Sequence, residues 1–241
     1  MAPSLVVDRH FIWQTRLTPQ CLFDRVAGMQ LGLFEGKKSK RGGRRRKAGR
    51  KKSGRVSHAA RVHNRANPVH VTLKVLEGVP TLRGHKLGRL IGRYFRLVLG
   101  RHGAFRVTHF SIQSNHLHIL AEADDQAALS RGMQGFKSGL ARLINARLGR
   151  SGTLWRDRYH ARDLDSPTAV RHALVYVLQN HAHHGGRPGV DPWSSATWFA
   201  GWQEVVPATA DSPVAEPRTW LLRVGWLQVG GPIGLHEVPR H

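Results

Sequence analysis

Hydrophobic and polar residues alternate in three stretches of the chain. A two-residue period predicts β-strands, because neighbouring side chains of a strand point to opposite faces. The three stretches are residues 69–76, 105–113 and 116–122. Only Ser114 and Asn115 separate the second stretch from the third, so we expect these two strands to form a hairpin.

Apolar residues recur every three or four positions outside these strands, and this spacing predicts helices. The predicted helices cover residues 81–102, 125–149 and 167–184. The second helix follows Asp124 and Asp125, which are good N-cap residues, and the third follows Ser166 with Pro167 at its first position. An extended stretch within residues 153–165 predicts one or two further short strands.

The resulting element order is β-α-β-β-α-β followed by a third helix. The first six elements have the split β-α-β pattern of the ferredoxin-like fold. We therefore predict an α+β protein with an antiparallel sheet, helices on one face and an additional C-terminal helix that carries candidate catalytic residues. Residues 188–241 are rich in Pro, Gly and Trp and predict only one short helix, near 219–226.

A basic tract precedes the predicted domain. Residues 37–56 contain twelve Lys and Arg, no acidic residue and almost no core-forming side chain, so we expect this tract to be disordered on its own. We divide the chain into an N-terminal extension (1–36), a basic arm with its linker (37–68), a folded domain (69–187) and a C-terminal extension (188–241).

The charge of the whole chain indicates a polyanionic partner. It has 38 basic and 15 acidic residues and a formal net charge of +23, which favours nucleic acid. In the arm, Arg44, Arg45, Arg46 and Lys47 are the candidates for binding phosphates, although a solubilising tail or a localisation signal has a similar composition. The sequence has no run of 18 apolar residues and no recognisable secretory signal, so we expect no membrane partner and a bacterial cytoplasmic location. Cys21 is the only cysteine, which excludes a cysteine-based zinc site.

The strand at 116–122 carries two histidines one residue apart. His116 and His118 therefore point to one face, while Leu117 and Ile119 point to the other. Alone, such a pair fits either hydrogen-bonded surface histidines or two ligands of a divalent metal.

A second pair of polar residues favours the metal. Tyr176 and Asn180 are four residues apart on the last predicted helix, so they share one face. If this face lies over the sheet, two imidazoles, an amide oxygen and a phenol meet at one place, and the first three suit Mg²⁺ or Mn²⁺. A tyrosine beside such a metal can attack a phosphodiester and keep the ester bond as a phosphotyrosine, so the strand can be rejoined without another energy source.

Other residues compete for these roles. Tyr159 is a rival nucleophile, but it lies in an extended stretch with no Asn at helical spacing. Gln179 is a rival third ligand, although it is rotated about 100° around the helix from Asn180.

Two further groups have more than one interpretation. His181, His183 and His184 lie at the C-terminal end of a helix, where cations are favoured, so we interpret them as helix-end residues rather than as a zinc site. Arg156 and Arg158, next to Trp155, are candidates for clamping unpaired DNA bases, with core packing of the tryptophan an equal alternative.

Two segments resemble the motifs of the single-tyrosine HUH transposases, most of all their REP-associated branch. They are Asn115-His116-Leu117-His118 and Tyr176-Val-Leu-Gln-Asn180. The resemblance covers about residues 69–187 and extends loosely to 191–195 and 219–222. It implies that 69–187 is an HUH catalytic domain in which the two histidines and the asparagine bind the metal and the tyrosine is the nucleophile.

The resemblance also has implications for the substrate. It implies single-stranded DNA with hairpin ends, which is cut to leave a 5′-phosphotyrosine and a free 3′-OH, and a protein that acts as a monomer or as a homodimer. Two other functions are compatible with the residues: a non-catalytic nucleic-acid-binding regulator on the same fold, and a metal-dependent phosphodiesterase that uses water in place of the tyrosine.

Overall fold

In the computed structural model, which describes residues 62–98, 103–183, 186, 189–207 and 211–237, the strands form one antiparallel sheet. The strands are β1 (Val69–Lys74), β2 (Phe105–Ile112), β3 (His116–Ala123) and β4 (His160–Asp163), in the spatial order β2-β3-β1-β4. The β2–β3 hairpin thus lies beside β1, with β3 as the inner partner, as the split β-α-β pattern requires. The predicted α+β fold class is confirmed. The N-terminal extension and the basic tract with Arg44, Arg45, Arg46 and Lys47 lie outside the described residues.

The helices begin and end near their predicted limits. They are α1 (His85–Val98), α2 (Gln126–Leu148), α3 (Pro167–His183) and α4 (Trp220–Arg223), with 3-10 turns at Ser195–Trp198 and Gly225–Gln228. The side chain of Asp125 caps α2 by accepting a hydrogen bond from the backbone N–H of Ala128 at 2.6 Å. Gly149 ends this helix with a φ of 62°, a backbone conformation that glycine adopts without strain.

The start of α1 differs from the prediction by four residues. The apolar spacing predicts a helix from residue 81, but residues 81–84 form a turn because Leu82 packs in the core and its N–H donates to the carbonyl of Ser114 at 2.8 Å. Arg83 forms a two-pronged ion pair with Asp191, with N···O distances of 2.9 and 3.0 Å. Both contacts are distant in sequence, so the local apolar spacing does not predict them.

The two faces of the sheet carry separate apolar cores. Leu117 and Ile119 point to the face covered by α1 and α2, as the alternation predicts. Leu120 points to the other face and packs with Val170 and Leu174 of α3. The last helix therefore covers the sheet face that also bears His116 and His118.

Residues beyond 187 complete the sheet edge and this second core. The carbonyl of Trp193 accepts a hydrogen bond from the N–H of Ile112 at 2.8 Å, and the Ser195 hydroxyl accepts one from the N–H of Phe110 at 3.0 Å. These bonds cover the outer edge of β2, which would otherwise present unpaired backbone groups. The proposed domain boundary at residue 187 stays a prediction.

A buried carboxylate ties α4 to the sheet. Glu122, at the end of β3, is 1% exposed and pairs with Arg106 at 3.1 Å. It also accepts hydrogen bonds from the N–H of Arg218 and from both the N–H and the hydroxyl of Thr219, each at 2.8 Å. Each donor offsets the cost of burying the charge, so we assign Glu122 a structural role.

None of the helices in the described residues is long and apolar enough to cross a membrane.

The buried His109 predicts that acid destabilises the fold. Burial lowers its pKa from 6.5 to about 4, and its ring neighbours are Phe199 and the Ser195 hydroxyl. Between these two pH values the unfolded chain binds a proton that the folded protein does not, so the free energy of unfolding falls as the pH decreases from 6.5 towards 4. The expected loss from this one group is about 2 kcal/mol at pH 5.

Urea unfolding at pH 7.5 and pH 5 measures this loss. Between pH 7.5 and pH 5, we expect the free energy of unfolding of a His109→Gln variant to fall by about 2 kcal/mol less than that of the natural protein. His172→Gln is the matched control, because it makes the same substitution at an exposed histidine. An equal pH dependence in the natural protein and in His109→Gln would contradict the prediction.

Candidate active site

The two histidines of β3 face each other on the inner strand of the sheet. The Nε2 atoms of His116 and His118 are 2.9 Å apart. The side chain of His118 is almost fully buried, whereas His116 is half-buried near the start of the strand. The pair is therefore held by a central strand and still open to solvent on one side.

The other ring nitrogen of each histidine has a polar neighbour of its own. Nδ1 of His116 donates to the side-chain oxygen of Asn115 at 2.7 Å. Nδ1 of His118 is 3.1 Å from Nε2 of His70 and 3.2 Å from the hydroxyl of Thr72, both on β1. When each Nδ1 carries the proton, both Nε2 lone pairs face the same small space, which is the arrangement that metal-binding histidines adopt.

His70 is a neutral imidazole at neutral pH. Burial lowers its pKa to about 4, and the nearby positive charges of His160 and Arg162 add to the effect. A neutral His70 can accept a hydrogen bond from His118, which a protonated His70 could not.

The last helix brings Tyr176 to this histidine pair. Its ring centroid is 4.9 Å from that of His118 and 5.8 Å from that of His70, with edge-to-face geometry in both pairs. The side chain is half-buried, and this burial raises the pKa of the phenol above its usual value of 10. The hydroxyl is therefore protonated at neutral pH, and it must lose its proton to act as a nucleophile.

Asn180 lies one turn further along α3. It is 0% exposed, and neither its side-chain oxygen nor its nitrogen has a hydrogen-bond partner. An amide buried in this way costs about 1–3 kcal/mol. The rival ligand Gln179 is also buried, and its side-chain oxygen likewise has no hydrogen-bond partner. It differs from Asn180 in that its Nε2 donates to the carbonyl of Gly234 at 3.0 Å, which ties it to the C-terminal segment.

These residues fit a divalent metal ion that has an amide ligand. Among the residues that the structure describes, no group of three or more His, Cys, Asp and Glu side chains is arranged to hold a metal. The 2.9 Å between the two Nε2 atoms is close to the ~3 Å between adjacent ligands around an octahedral metal with bonds of ~2.1 Å. An amide oxygen is a candidate for a third protein ligand, and the side-chain oxygens of Asn180 and Gln179 are both buried without a hydrogen-bond partner.

The part of the chain that contains the histidine pair and Tyr176 matches a known protein family. Residues 84–180 match the family model described as Transposase IS200 like. These residues belong to the IS200-like transposase family. The matched range contains His116, His118 and Tyr176 and ends at Asn180, so the resemblance to single-tyrosine HUH transposases is confirmed at the level of the family.

Similar folds occur among solved structures. Eight chains match, and one of them is described as a REP-associated tyrosine transposase bound to a REP hairpin. It is 17% identical, with a TM-score of 0.47, and the similarity covers 58% of the present chain and 82% of the other. No curated protein sequence matches the chain at a comparable level.

The rival nucleophile lies on the other side of the sheet. Tyr159 packs in the core beneath α1 and α2, with the ammonium group of Lys137 5.8 Å from its ring centre. The structure therefore separates it from the histidine pair, which lies on the opposite face.

The candidate DNA-clamping residues are divided between core and surface. Trp155 packs in the same core as Tyr159, and its ring N–H donates to the carbonyl of Lys137 at 3.1 Å, which favours packing over base stacking. Arg156 is exposed, with its guanidinium 4.0 Å from Glu77, and Arg158 is half-buried.

The ring of His181, at the end of α3, packs against Gly186. His184 and the side chain of His183 lie outside the described part of the chain.

The sequence analysis missed two residues of the site, His70 and Thr72. Thr72 is the direct cross-strand partner of His118 on one side and of His160 on the other, and His70 lies two residues before it on the same face of β1. The alternation of β1 already placed His70 and Thr72 on one face. Pairing β1 with β3, as the split β-α-β pattern requires, would have brought that face to the histidine pair.

Proposed function

We propose that this protein is a metal-dependent single-stranded DNA transposase that cuts and rejoins strands through Tyr176. The observation that supports the proposal most is the edge-to-face contact of the Tyr176 ring with His118, whose Nε2 atom is 2.9 Å from that of His116. A phenol in this position is a candidate for catalysis, because titratable groups that are partly buried against one another, as Tyr176 is against His118 and His70, cluster at functional sites. In this proposal the hairpin-ended substrate comes from the family resemblance.

The reaction that we propose exchanges one phosphodiester for another. The Tyr176 oxygen attacks the phosphorus, the bond from phosphorus to the 3′-oxygen breaks, and a 5′-phosphotyrosine forms. The phenol proton leaves as the new bond forms, and the departing 3′-oxygen takes up a proton. Since the ester bond is conserved, attack by a 3′-OH on the phosphotyrosine reverses the step and joins two strands.

The protein side chains have separate tasks in this proposal. His116, His118 and Asn180 hold Mg²⁺ or Mn²⁺, which when bound stabilises negative charge on the phosphate and favours ionisation of a nearby phenol. His70 and Thr72 hold His118 through its Nδ1 atom, so that Nε2 faces the metal position. Tyr176 and Asn180 are four residues apart on α3 and share one face of this helix, which supports a role for both at the same site.

The large positive charge supplies non-specific affinity for DNA. We propose that Arg156 and Arg158 contact the strand near the folded domain and that the basic arm, with Arg44, Arg45, Arg46 and Lys47, binds phosphates further away. The proposal places the protein with its DNA substrate in the bacterial cytoplasm, as a monomer or a homodimer.

Deletion of the basic arm tests its role. Removing residues 37–56 is expected to weaken binding to single-stranded DNA and to reduce the slope of log affinity against log salt concentration by up to about 8, because each neutralised phosphate contributes about 0.7. Fluorescence anisotropy over a range of salt concentrations measures both quantities. The control replaces the same residues by a Gly/Ser segment of equal length, which keeps the spacing and removes only the charge. If either variant binds single-stranded DNA as tightly as the natural protein, the proposed arm is contradicted.

Formation of a covalent product tests the proposed function. The protein is incubated with end-labelled hairpin DNA that has single-stranded flanks, together with Mn²⁺, and the products are separated under denaturing conditions. We expect a DNA–protein adduct that carries the label of the 3′ side of the cut and a released strand with a free 3′-OH. Cleavage without an adduct would support the water-dependent phosphodiesterase instead, and binding without cleavage would support the non-catalytic regulator.

A further inference from the structure

A second polar pocket opens at the opposite end of β3 from the histidine pair. It has a volume of about 640 Å³, which lies in the range of pockets that hold small organic ligands. Glu122 forms part of its lining and lies on the same sheet face as His116 and His118, because the three residues are an even number of positions apart. At about 3.3 Å per residue, Glu122 is roughly 20 Å from His116, so the pocket is separate from the active site.

An exposed tryptophan forms one side of this pocket. Trp220 is 54% exposed, which is unusual for so large an apolar side chain. Its ring lies against Gly225, where a Cβ atom would come within 2.7 Å of ring carbon Cζ3. The glycine thus lets the ring pack against the backbone and leaves the remainder of the indole open to the pocket. This is the form of an aromatic stacking platform.

The charges around the platform favour an anionic ligand. Arg65 and Arg218 line the pocket and are exposed, and neither has an ion-pair partner within the described residues. The third arginine of the pocket, Arg106, is engaged by Glu122 at 3.1 Å. Asp124, at the rim, is an exposed acceptor that can receive a hydrogen bond from the amino group of a base.

We propose that this pocket binds one unpaired nucleotide of single-stranded DNA, with its base stacked on Trp220 and its phosphates at Arg65 and Arg218. The inference rests on the proposed action on single-stranded DNA and adds a second contact to it. The separation of roughly 20 Å corresponds to about six steps of 3.4 Å along a duplex, so one short DNA hairpin can reach both sites. The pocket then holds the DNA in a fixed position relative to the phosphodiester that is cut.

Comparison of normal and abasic DNA tests the stacking contact. The probes are a random-sequence twelve-nucleotide single strand and an abasic strand with the same number of phosphates, both fluorescently labelled. Base stacking on one aromatic side chain accounts for about a 5- to 100-fold change in affinity. We expect Trp220→Ala to weaken binding of the normal strand by this factor and to leave binding of the abasic strand unchanged, while Trp220→Phe retains most of the affinity.

The arginines are expected to behave differently from the tryptophan. Arg65→Ala and Arg218→Ala should weaken binding of both strands equally, because they contact phosphates. Arg93→Ala is the matched control, because it removes an exposed charge from α1 on the other side of the sheet. It should bind both strands about as tightly as the natural protein. Thermal unfolding of each variant checks that it is folded.

The outcomes separate this inference from the proposed function. Equal loss for the normal and abasic strands in Trp220→Ala would overturn base stacking, and RNA of the same sequence binding more tightly than DNA through Trp220 would overturn the assignment to DNA. If the covalent adduct fails to form but the Trp220 effect is found, the pocket stands and the proposed catalytic function does not. If the adduct forms and Trp220→Ala binds both strands as tightly as the natural protein does, the proposed catalytic function stands and the proposed pocket does not.

Discussion

Replacing Tyr176 by phenylalanine is expected to abolish the covalent DNA–protein adduct. The substitution removes one oxygen atom and keeps the ring that packs edge-to-face on His118 and His70, so the fold and the histidine pair stay intact. Loss of a nucleophile typically lowers the rate by at least about a thousandfold. The measurement is the amount of adduct formed on labelled hairpin DNA in the presence of Mn²⁺.

Tyr159→Phe is the matched control for this experiment. It removes the same atom from a tyrosine of the same domain, but that tyrosine packs in the core on the opposite side of the sheet. We therefore expect its adduct yield to equal that of the natural protein. If Tyr176→Phe still forms the adduct, Tyr176 is not the nucleophile. The same holds if the adduct is lost in Tyr159→Phe but not in Tyr176→Phe.

The pH dependence of the same reaction follows from the raised pKa of Tyr176. Because burial holds the phenol protonated at neutral pH, the reactive phenolate becomes more abundant as the pH rises. The rate of adduct formation at saturating Mn²⁺ should therefore increase from pH 6 to pH 9, and a rate that falls over this range would contradict attack by the phenolate.

Local patterns of the sequence predicted most of the fold. The β2–β3 hairpin, the Asp125 cap of α2 and the end of α2 at Gly149 depend on neighbouring residues, and the sequence shows them directly. Alternation in β3 and four-residue spacing in α3 also predicted which side chains share a face. The structure then brought Tyr176 against His118, as the spacing had indicated.

Contacts between distant residues account for what the patterns missed. The turn before α1 depends on the ion pair between Arg83 and Asp191, 108 positions apart. The support of His118 by His70 depends on the pairing of β1 with β3, 48 positions apart. The ion pair leaves no periodic signal, whereas the histidine contact follows from the alternation of β1 only once β1 is paired with β3. The C-terminal segment was unreadable for the same reason, since its carbonyl and hydroxyl groups pair with β2 without forming a regular element.

The buried amide of Asn180 leads to the second large prediction, which concerns metal binding. If Asn180 is the third ligand, its replacement by leucine removes one of three protein ligands and should lower Mn²⁺ affinity by at least about 10- to 100-fold. Titration of Mn²⁺ followed by electron paramagnetic resonance measures this affinity without any DNA or catalysis. His116→Ala and His118→Ala should each reduce the affinity at least as much, because each removes one of the two facing Nε2 atoms.

In the metal-free protein, Asn180→Leu should raise the free energy of unfolding, although it lowers the affinity for Mn²⁺. Both polar atoms of the Asn180 amide are buried without a hydrogen-bond partner, so a leucine of similar size removes a cost of about 1–3 kcal/mol. Urea unfolding in the presence of a chelator should therefore show that Asn180→Leu is more stable than the natural protein. A residue kept for structure alone would show no such conflict between stability and metal affinity.

Gln179→Leu separates the two candidate amides. Gln179 donates to the carbonyl of Gly234, so its replacement breaks a hydrogen bond of the C-terminal segment, but it also removes a buried oxygen that has no partner. The two effects oppose each other, and the free energy of unfolding should change by at most about 1 kcal/mol. Its Mn²⁺ affinity should equal that of the natural protein. If Gln179→Leu loses Mn²⁺ affinity and Asn180→Leu keeps it, the third ligand is the glutamine. Tyr176 would then share the site with a side chain from the neighbouring face of α3, and α3 would have to rotate to bring Gln179 to the histidines. Because Gln179 is bonded to residue 234, that rotation would also break its contact with the C-terminal segment.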